Sequence, residues 1–461
     1  MDLIKFYLIM WKFWSKFLII FCFAGGSVAL SAQQNNANIQ PKINSPYSRF
    51  GLGDPVDQFL AGPAGMAGLS AAFNDAFLLN LQNPASLTYL QATAFEVGAF
   101  GKYSQLESGT ESDGVWSGNL NYLALGFPLK NPINKALDRD RSPWGFGMSL
   151  SLQPYTNVGY DIETKTVVEG ADLVTNYLKG TGGTYKVQWG NGARYKDFAV
   201  GANIGYLFGK ITNSRLVEFD SLAVSYNSEF RDEISIGGFY WNVGVQYTYY
   251  FKEPGRDGTL TRSNKRLIFG AYGNAIQPFS TKTDQFYSRT NFEYGQRDTI
   301  QFEDIVEERG QLPAEFTIGV MYEEISKLRL GFEYYNGLWS QYENEGKEEQ
   351  LSDAWKIRIG GEFIPDFASY NNYFRRMRYR LGFVYGTDPR SLGGDQLTTY
   401  SLNFGFGFPI VMPRQQISFV NFGVEVGQFG IGSEILKENY VKMTLGFTLN
   451  DNTWFFKRKF N

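Results

Sequence analysis

The stretch Trp144–Gln153, WGFGMSLSLQ, decides the fold class of this chain. Its even-numbered positions carry large apolar side chains, whereas its odd-numbered positions carry only glycine, serine and glutamine. Successive side chains of a β-strand point to opposite faces, so this alternation predicts a strand with one apolar face and one small or polar face.

The same period of two recurs from residue 95 almost to the C-terminus, and about fourteen segments show it. Each is about as long as a tilted membrane-spanning strand of about 9 to 11 residues, or longer. The predicted strands lie near residues 95–104, 116–127, 144–163, 184–194, 197–212, 234–251, 264–276, 314–322, 327–336, 353–364, 376–386, 397–408, 417–427 and 438–449.

The connections between these strands alternate between short and long. Residues 196–197 and 323–326 form short joins, whereas residues 164–183, 213–233 and 277–312 form long polar ones. Short periplasmic turns and long external loops are typical of an outer-membrane barrel. The pattern predicts an all-β fold, a 14-stranded antiparallel transmembrane β-barrel with both termini on the periplasmic side.

A secreted pair of β-sandwiches is the alternative, because sandwich strands alternate too. Three observations favour the barrel: the strands are about 10 residues long or longer, the second face carries Gly, Ser, Asn and Gln with few large apolar residues, and no break in composition suggests a second domain. A closed barrel also leaves no strand edge exposed, which matters for so many long strands.

The composition excludes several classes of function. The chain has 461 residues with 43 Lys+Arg, 46 Asp+Glu, one Cys and no His. Ser-His-Asp and Cys-His catalysis, His-bearing zinc sites and an intramolecular disulfide are therefore impossible. A net charge of -3 does not favour nucleic acid as a partner. We predict no catalytic residue, no cofactor and no metal site.

The N-terminus has the three parts of a secretory signal peptide. Three lysines precede the apolar run 17–30, which is too short for a comfortable membrane span, and small residues follow it. We expect residues 1–32 to be a signal peptide that is cleaved between Ala29 and Ala32. A retained anchor helix is the alternative.

Two further expectations depend on this segment. Translation starts at Met1 or Met10, because the signal is complete from either residue. Cleavage removes Cys22, so the exported chain contains neither thiol nor imidazole and reaches the outer membrane of a Gram-negative bacterium.

A block rich in Gly, Ala and Pro precedes the first strand. Gly62, Gly65 and Gly68 are three residues apart and would lie close together on a short helix, where small residues permit tight packing. A fourteen-stranded barrel leaves a wide lumen that such a segment can fill. We predict an N-terminal periplasmic segment and lumenal hatch over residues 33–91 and a barrel over 92–461. A plain periplasmic linker is the alternative.

Three motifs in this block resemble the N-terminal region of FadL-type outer-membrane transport proteins. They are GMAG at residues 65–68, NDA at 74–76 and NPASL at 83–87. The resemblance implies a fourteen-stranded barrel with a lumenal hatch and the uptake of long-chain fatty acids or other hydrophobic small molecules. Together with the glycine spacing, it gives as candidate hatch or gate residues Gly62, Gly65, Gly68, Asp75, Asn83, Pro84 and Ala85.

The resemblance also implies a lateral opening where the third strand is kinked. Pro154 and Tyr155 interrupt this strand, and proline cannot donate a hydrogen bond to the ladder. These two residues are the candidate opening, and a bulge without function is the alternative.

Two further motifs are similar to the Bacteroidota branch of the group. They are SPYSRFG at residues 45–51 and WFFKRK at 454–459. Some members there, such as the PorV shuttle protein of type IX secretion, serve export machines instead of carrying fatty acids. We therefore expect a passive channel for hydrophobic small molecules, with outer-membrane lipid around it. The alternative is a non-catalytic accessory or scaffold subunit of a protein secretion or insertion machine.

A set of cations on the later strands forms a candidate patch on the lumen wall, since neighbouring strands lie about 4.8 Å apart. Either the patch binds a ligand carboxylate, or it pairs with hatch acids such as Asp54, Asp57 or Asp75. The patch comprises Arg329, Lys356, Arg358, Arg376, Arg378 and Arg380.

Overall fold

The computed structural model describes residues 45–453, apart from several short gaps. The predicted signal peptide, Cys22 and the motif at residues 454–459 lie outside the described residues. The gaps are residues 110, 131–138, 140–141, 169–171, 220–225, 255–258, 292–295, 348, 413–415 and 432–434.

Fourteen strands form one antiparallel sheet that closes into a barrel, as predicted. Two of them, β7 and β8, each consist of two collinear pieces. The strands are β1 (Thr93–Ser108), β2 (Glu111–Pro128), β3 (Trp144–Val168), β4 (Asp172–Tyr195), β5 (Phe198–Phe219), β6 (Asn227–Pro254), β7 (Leu260–Asn274 and Gln277–Asn291), β8 (Gln296–Leu312 and Glu315–Glu324), β9 (Leu328–Gly337), β10 (Ala354–Phe363), β11 (Arg378–Leu392), β12 (Asp395–Met412), β13 (Gln416–Ile431) and β14 (Lys437–Asp451).

The barrel closes between its last and first strands. β14 pairs with β1 along its whole length, from Asp451 opposite Thr93 to Lys437 opposite Glu107. We call the end where β1 begins and β14 ends the near end, and the opposite end the far end.

The long polar connections were predicted as loops, but the structure shows that they are mostly strand. β6 pairs with the first piece of β7 through residues 243–254 and with the second piece through residues 227–238. Residues 277–312 therefore form a hairpin that extends β7 and β8 at the far end. The hairpin was not recognised because its strands carry polar side chains on both faces, so the alternation of hydrophobicity is weak.

The two faces of the wall have opposite character. Outward side chains in the middle of the strands are apolar and exposed, as for Ile204 at 48% exposure. Inward side chains such as Asn203 and Gln246 are polar and buried. This is the distribution expected where lipid covers the outside and polar groups fill the lumen.

The N-terminal segment, residues 45–92, packs against the inner face of the wall. It contains three short helices, Pro46–Arg49, Ala61–Ala64 and Pro84–Tyr89, and the two-residue strand Asp54–Pro55. Apart from the wall strands and this segment, the described residues contain three short elements, Trp339–Gln341, Glu343–Asn344 and Tyr373–Arg376.

The N-terminal segment begins at the far end and not at the near end. The Ser45 amide donates to the Gly159 carbonyl at 2.7 Å, and the Tyr47 hydroxyl donates to the Leu436 carbonyl at 2.8 Å. Both acceptors belong to the far half of the wall. The segment then crosses the lumen to Thr93 at the near end.

Candidate functional site in the lumen

The structure does not place Gly62, Gly65 and Gly68 on one face of a helix, as the sequence spacing predicts. The helix Ala61–Ala64 has only one turn, so only Gly62 belongs to it. Gly65 caps the helix, and a Cβ there would come within 2.8 Å of the Gly405 backbone on β12. Gly68 has a φ of 73°, in the left-handed region that favours glycine. The three glycines serve close packing and a turn, but they do not share one helix face.

The Asn-Pro-Ala motif begins the helix Pro84–Tyr89. The Asn83 side-chain oxygen accepts a hydrogen bond from the Ala85 amide at 3.1 Å, which caps the helix. The Asn83 side-chain nitrogen donates to the Ala71 carbonyl at 2.7 Å and to the Val245 carbonyl of β6 at 3.1 Å. One side chain thus joins the helix, the rest of the N-terminal segment and the wall.

The wall has glycine where this helix contacts it. A Cβ at Gly192 would lie 2.6 Å from the Pro84 carbonyl oxygen, and one at Gly201 would lie 2.5 Å from the Pro84 carbonyl carbon. A Cβ at Gly244 would lie 2.2 Å from the Asn83 side-chain oxygen. Real Cβ atoms do not come this close, so the helix docks only because β4, β5 and β6 lack side chains there.

Asp75 is the centre of a buried ion network. Its Oδ2 accepts from Arg329 Nη1 of β9 and Arg378 Nη1 of β11, each at 2.8 Å. Burial raises the pKa of Asp75, but the guanidinium groups of Arg378 and Arg329 outweigh burial and hold this pKa well below its usual range. Glu362 accepts from Arg329 at 3.0 Å and from Arg380 at 2.8 Å. The network therefore joins one acid of the N-terminal segment to three strands.

The predicted cationic patch does not form a single unit. Arg358 pairs with Glu333 at 2.9 Å, and Glu333 also accepts from the Ser70 and Ala71 amides at 2.7 Å each. Lys356 lines the lumen with no ion pair to any described residue. Arg376 belongs to the helix Tyr373–Arg376, before β11 begins, so its place in an inward row was predicted wrongly.

The other two acids named from the sequence also contact the wall. Asp57 pairs with Lys442 of β14 at 2.6 Å, and Asp54 pairs with Arg390 of β11. Sequence analysis did not single out Lys442 or Arg390. Lys442 occupies an inward position of a regularly alternating strand, so that pattern would have found it, whereas Arg390 lies where the pairing of β11 is irregular and no alternation marks it.

The wall is incomplete between β2 and β3. These strands pair over only six residues, from Leu123 opposite Leu152 to Pro128 opposite Gly147. Beyond this point neither strand pairs with the other among the described residues. We call this gap the seam. Asp54 and Pro55 pair with β3 there, opposite Asn157 and Thr156, so the N-terminal segment covers the β3 edge from the lumen side.

A bulge interrupts each strand where the ladder ends. Asn121 is the extra residue of β2, because Tyr122 pairs with Gly98 and Leu120 with Ala99. Tyr155 is the extra residue of β3, and it follows Pro154 directly. Bulges bend strands and increase their twist, which explains why the two strands separate here. The structure places Pro154 and Tyr155 at the seam.

A lumenal cavity of about 370 Å³ lies behind the seam, and both polar and apolar side chains line it. Ser117, Asn121 and Thr156 line it at the seam, and Lys356 and Glu315 line it farther inside. A second cavity of about 540 Å³ opens at the near end, where its lining includes the Asp75 network. Charged groups therefore line the free space in the lumen.

An apolar cluster occupies part of the far half of the lumen. Leu52 of the N-terminal segment packs among buried inward side chains of the wall. The cluster also contains Val158, Tyr160, Leu207, Ile211, Ile234, Ile236, Phe279, Leu312 and Tyr342.

Two negative findings concern the described residues. No helix among them is long and apolar enough to cross a membrane. No three acidic side chains are grouped in this part of the chain so that they could hold a metal ion.

Comparison with known proteins identifies the fold and the family. A FadL homologue of Pseudomonas aeruginosa is 11% identical with a TM-score of 0.51, and the match covers 87% of this chain and 99% of that one. The Pseudomonas putida toluene transporter TodX is 12% identical with a TM-score of 0.51, and the match covers the same shares. No curated protein matches the chain. The family model described as BamG matches residues 14–461, and the chain therefore belongs to the BamG family.

Proposed function

We propose that this protein is a non-catalytic accessory subunit of an outer-membrane protein insertion or secretion machine. The observation that carries this proposal is the anchoring of the N-terminal segment. Asp54, Asp57 and Asp75 each form an ion pair with the wall, and together they reach β9, β11 and β14. The pairs of Asp75 are buried, and breaking a buried pair costs about 3 to 5 kcal/mol, so a path through this part of the lumen would be costly to open.

The lining of the lumen and the family support the same proposal. An apolar ligand in the cavity would strip water from Lys356 and Glu315 without replacing their hydrogen bonds, which is unfavourable. Membership of the BamG family favours the accessory role that the sequence left as an alternative. The barrel would then act as a rigid scaffold in the membrane, and its far-end strand extensions would offer contact surface.

The test is purification of the tagged full-length protein in a mild detergent. We expect a second outer-membrane protein to co-purify in a fixed stoichiometric ratio, and depletion of the chain to lower the amounts of unrelated outer-membrane barrels. A tagged FadL-type transporter from the same membrane serves as the control. Isolation as a single chain, with unchanged amounts of other barrels after depletion, would contradict the proposal.

A second candidate function is passive uptake of a hydrophobic small molecule, and the seam specifically favours it. The seam connects the lipid-facing surface with the lumenal cavity through the unpaired parts of β2 and β3. The barrel also shares its fold with a toluene transporter and a FadL homologue. A ligand would then enter or leave sideways, without crossing the far-end apolar cluster.

Removal of both bulges tests this second function. Deletion of Asn121 and Tyr155 restores regular alternation on both sides of each bulge, so the ladder can continue and close the seam. We expect uptake of a fluorescent fatty acid to fall to the level of a strain that lacks the gene. Tyr155→Phe keeps the bulge and is the matched control. Unchanged uptake by the double deletion would rule out the lateral route.

A further inference from the structure

The loop between β10 and β11 presents exposed aromatic side chains at the near end. It spans residues 364–377, and Tyr370 and Phe374 in it are 94% and 68% exposed. By comparison, β8 and β9 are joined there by only three residues, 325–327. Exposed apolar groups that lie together mark binding surfaces for protein or membrane.

Hydrogen bonds hold this loop against the outer wall. The Tyr379 hydroxyl of β11 donates to the Phe374 carbonyl at 2.9 Å, and the Tyr373 hydroxyl donates to the Pro409 carbonyl of β12 at 3.2 Å. Tyr379 packs edge-on against Phe406, another outward side chain, with ring centroids 6.1 Å apart. The loop therefore lies at the margin of the apolar outer band, at the level where lipid headgroups begin.

Two adjacent arginines in this loop have no anionic partner among the described residues. The Arg376 guanidinium lies 5.4 Å from the Tyr373 ring centroid, and its Nε is buried without a hydrogen-bond partner. The nearest acid in the loop, Asp366, accepts a hydrogen bond from the Ala368 amide at 3.1 Å. Arg375 is exposed beside Arg376. The guanidinium fork matches a phosphate group, with which it forms bidentate hydrogen bonds.

We propose that loop 364–377 is a binding site for the phosphate of an anionic glycerophospholipid in the periplasmic leaflet of the outer membrane. Arg375 and Arg376 bind the phosphate, while Phe374 and Tyr370 lie between the headgroups of the same leaflet. The inference depends on the near end facing the periplasm, because the long strand extensions, which are typical of the external side, lie at the far end. It is independent of whether the barrel is an accessory subunit or a channel.

Native mass spectrometry of the purified full-length barrel tests this proposal. Phosphatidylglycerol, phosphatidylcholine with the same acyl chains, and lipid A are each added to the detergent-solubilised protein. The variant is Arg375→Gln with Arg376→Gln. The matched control, Arg215→Gln with Arg289→Gln, removes two exposed arginines of the far end. Unchanged gel mobility before and after heating shows that each variant retains the folded barrel.

We expect phosphatidylglycerol to bind the wild type and the control equally, and the loop variant about tenfold more weakly or worse, because charge-assisted hydrogen bonds are lost. Arg376→Lys keeps the charge but loses the planar fork, so its binding should be intermediate. The proposal is overturned if the loop variant binds like the wild type, or if phosphatidylcholine binds as tightly. Preferential binding of lipid A would overturn it too, because this lipid belongs to the other leaflet.

Discussion

Replacement of Asp75 by Asn tests whether the buried ion network holds the N-terminal segment in the lumen. Asp75 accepts two hydrogen bonds of 2.8 Å from Arg329 and Arg378, and a third of 2.8 Å from the Phe77 amide. Asn has nearly the same shape and can still accept from Phe77. The substitution therefore removes the charge with little change in packing.

The expected magnitude follows from the charges that remain. Loss of one partner from a buried ion pair costs about 3 to 5 kcal/mol, because the other partner is left uncompensated. Here Glu362 still contacts Arg329 at 3.0 Å and Arg378 at 3.5 Å, which favours the low end, about 3 kcal/mol. A factor of ten corresponds to about 1.36 kcal/mol, so opening of the segment becomes about 150-fold more frequent.

Hydrogen exchange followed by mass spectrometry measures this change. Amides that exchange through local opening of the segment should exchange about 150-fold faster in residues 60–91 of the variant, while the amides of the wall strands keep their rates. Asp113→Asn is the control, because Asp113 is exposed at the far end and, among the described residues, its carboxylate accepts a hydrogen bond from the neighbouring Gly114 amide alone. A change below about threefold in residues 60–91, or an equal change in the control, would refute the reasoning.

Three other predictions concern the same segment. Burial raises the pKa of Asp75, but its two arginines lower this pKa by more, so the pKa is lower in the folded than in the unfolded protein. The stabilisation that the ionised Asp75 contributes is therefore present in full above about pH 4 and is lost as the pH falls toward the pKa of the folded state. The wild type should lose exchange protection on acidification, and Asp75→Asn should not show this loss. Gly201→Val puts a side chain against Pro84 and should destabilise docking of the helix by about 1 to 3 kcal/mol, which limited proteolysis measures. Gly101→Val is the control, because a Cβ at Gly101 meets no atom within 4 Å. Equal resistance of the two variants to protease would contradict the prediction. Asn83→Ala removes a helix cap together with the hydrogen bonds to the Ala71 and Val245 carbonyls, and should cost at least about 1 kcal/mol. A thermal melt monitored by cleavage within the segment checks this, and an unchanged midpoint would show that these contacts of Asn83 do not hold the segment.

The sequence by itself determined the fourteen strands of the wall. Lipid outside and a polar lumen inside impose a period of two on every spanning segment, and that period is local in sequence, as in Trp144–Gln153. The predicted segments fall on all fourteen observed strands. The Gly-, Ala- and Pro-rich composition and the three motifs of residues 65–87 likewise predict a compact segment ahead of β1, because both are local features of the sequence.

Only the tertiary structure decided how these parts are placed. The extra residue Asn121 reverses the facing of β2, and only its partner strand reveals this one-residue shift, whereas Pro154 already marked the irregularity at Tyr155 in the sequence. Asp75 meets Arg378 across 303 residues, and no local pattern records such a separation. The direction in which the segment crosses the lumen, the seam and the ion pairs all depend on contacts between residues distant in sequence, which exist only after the barrel has closed.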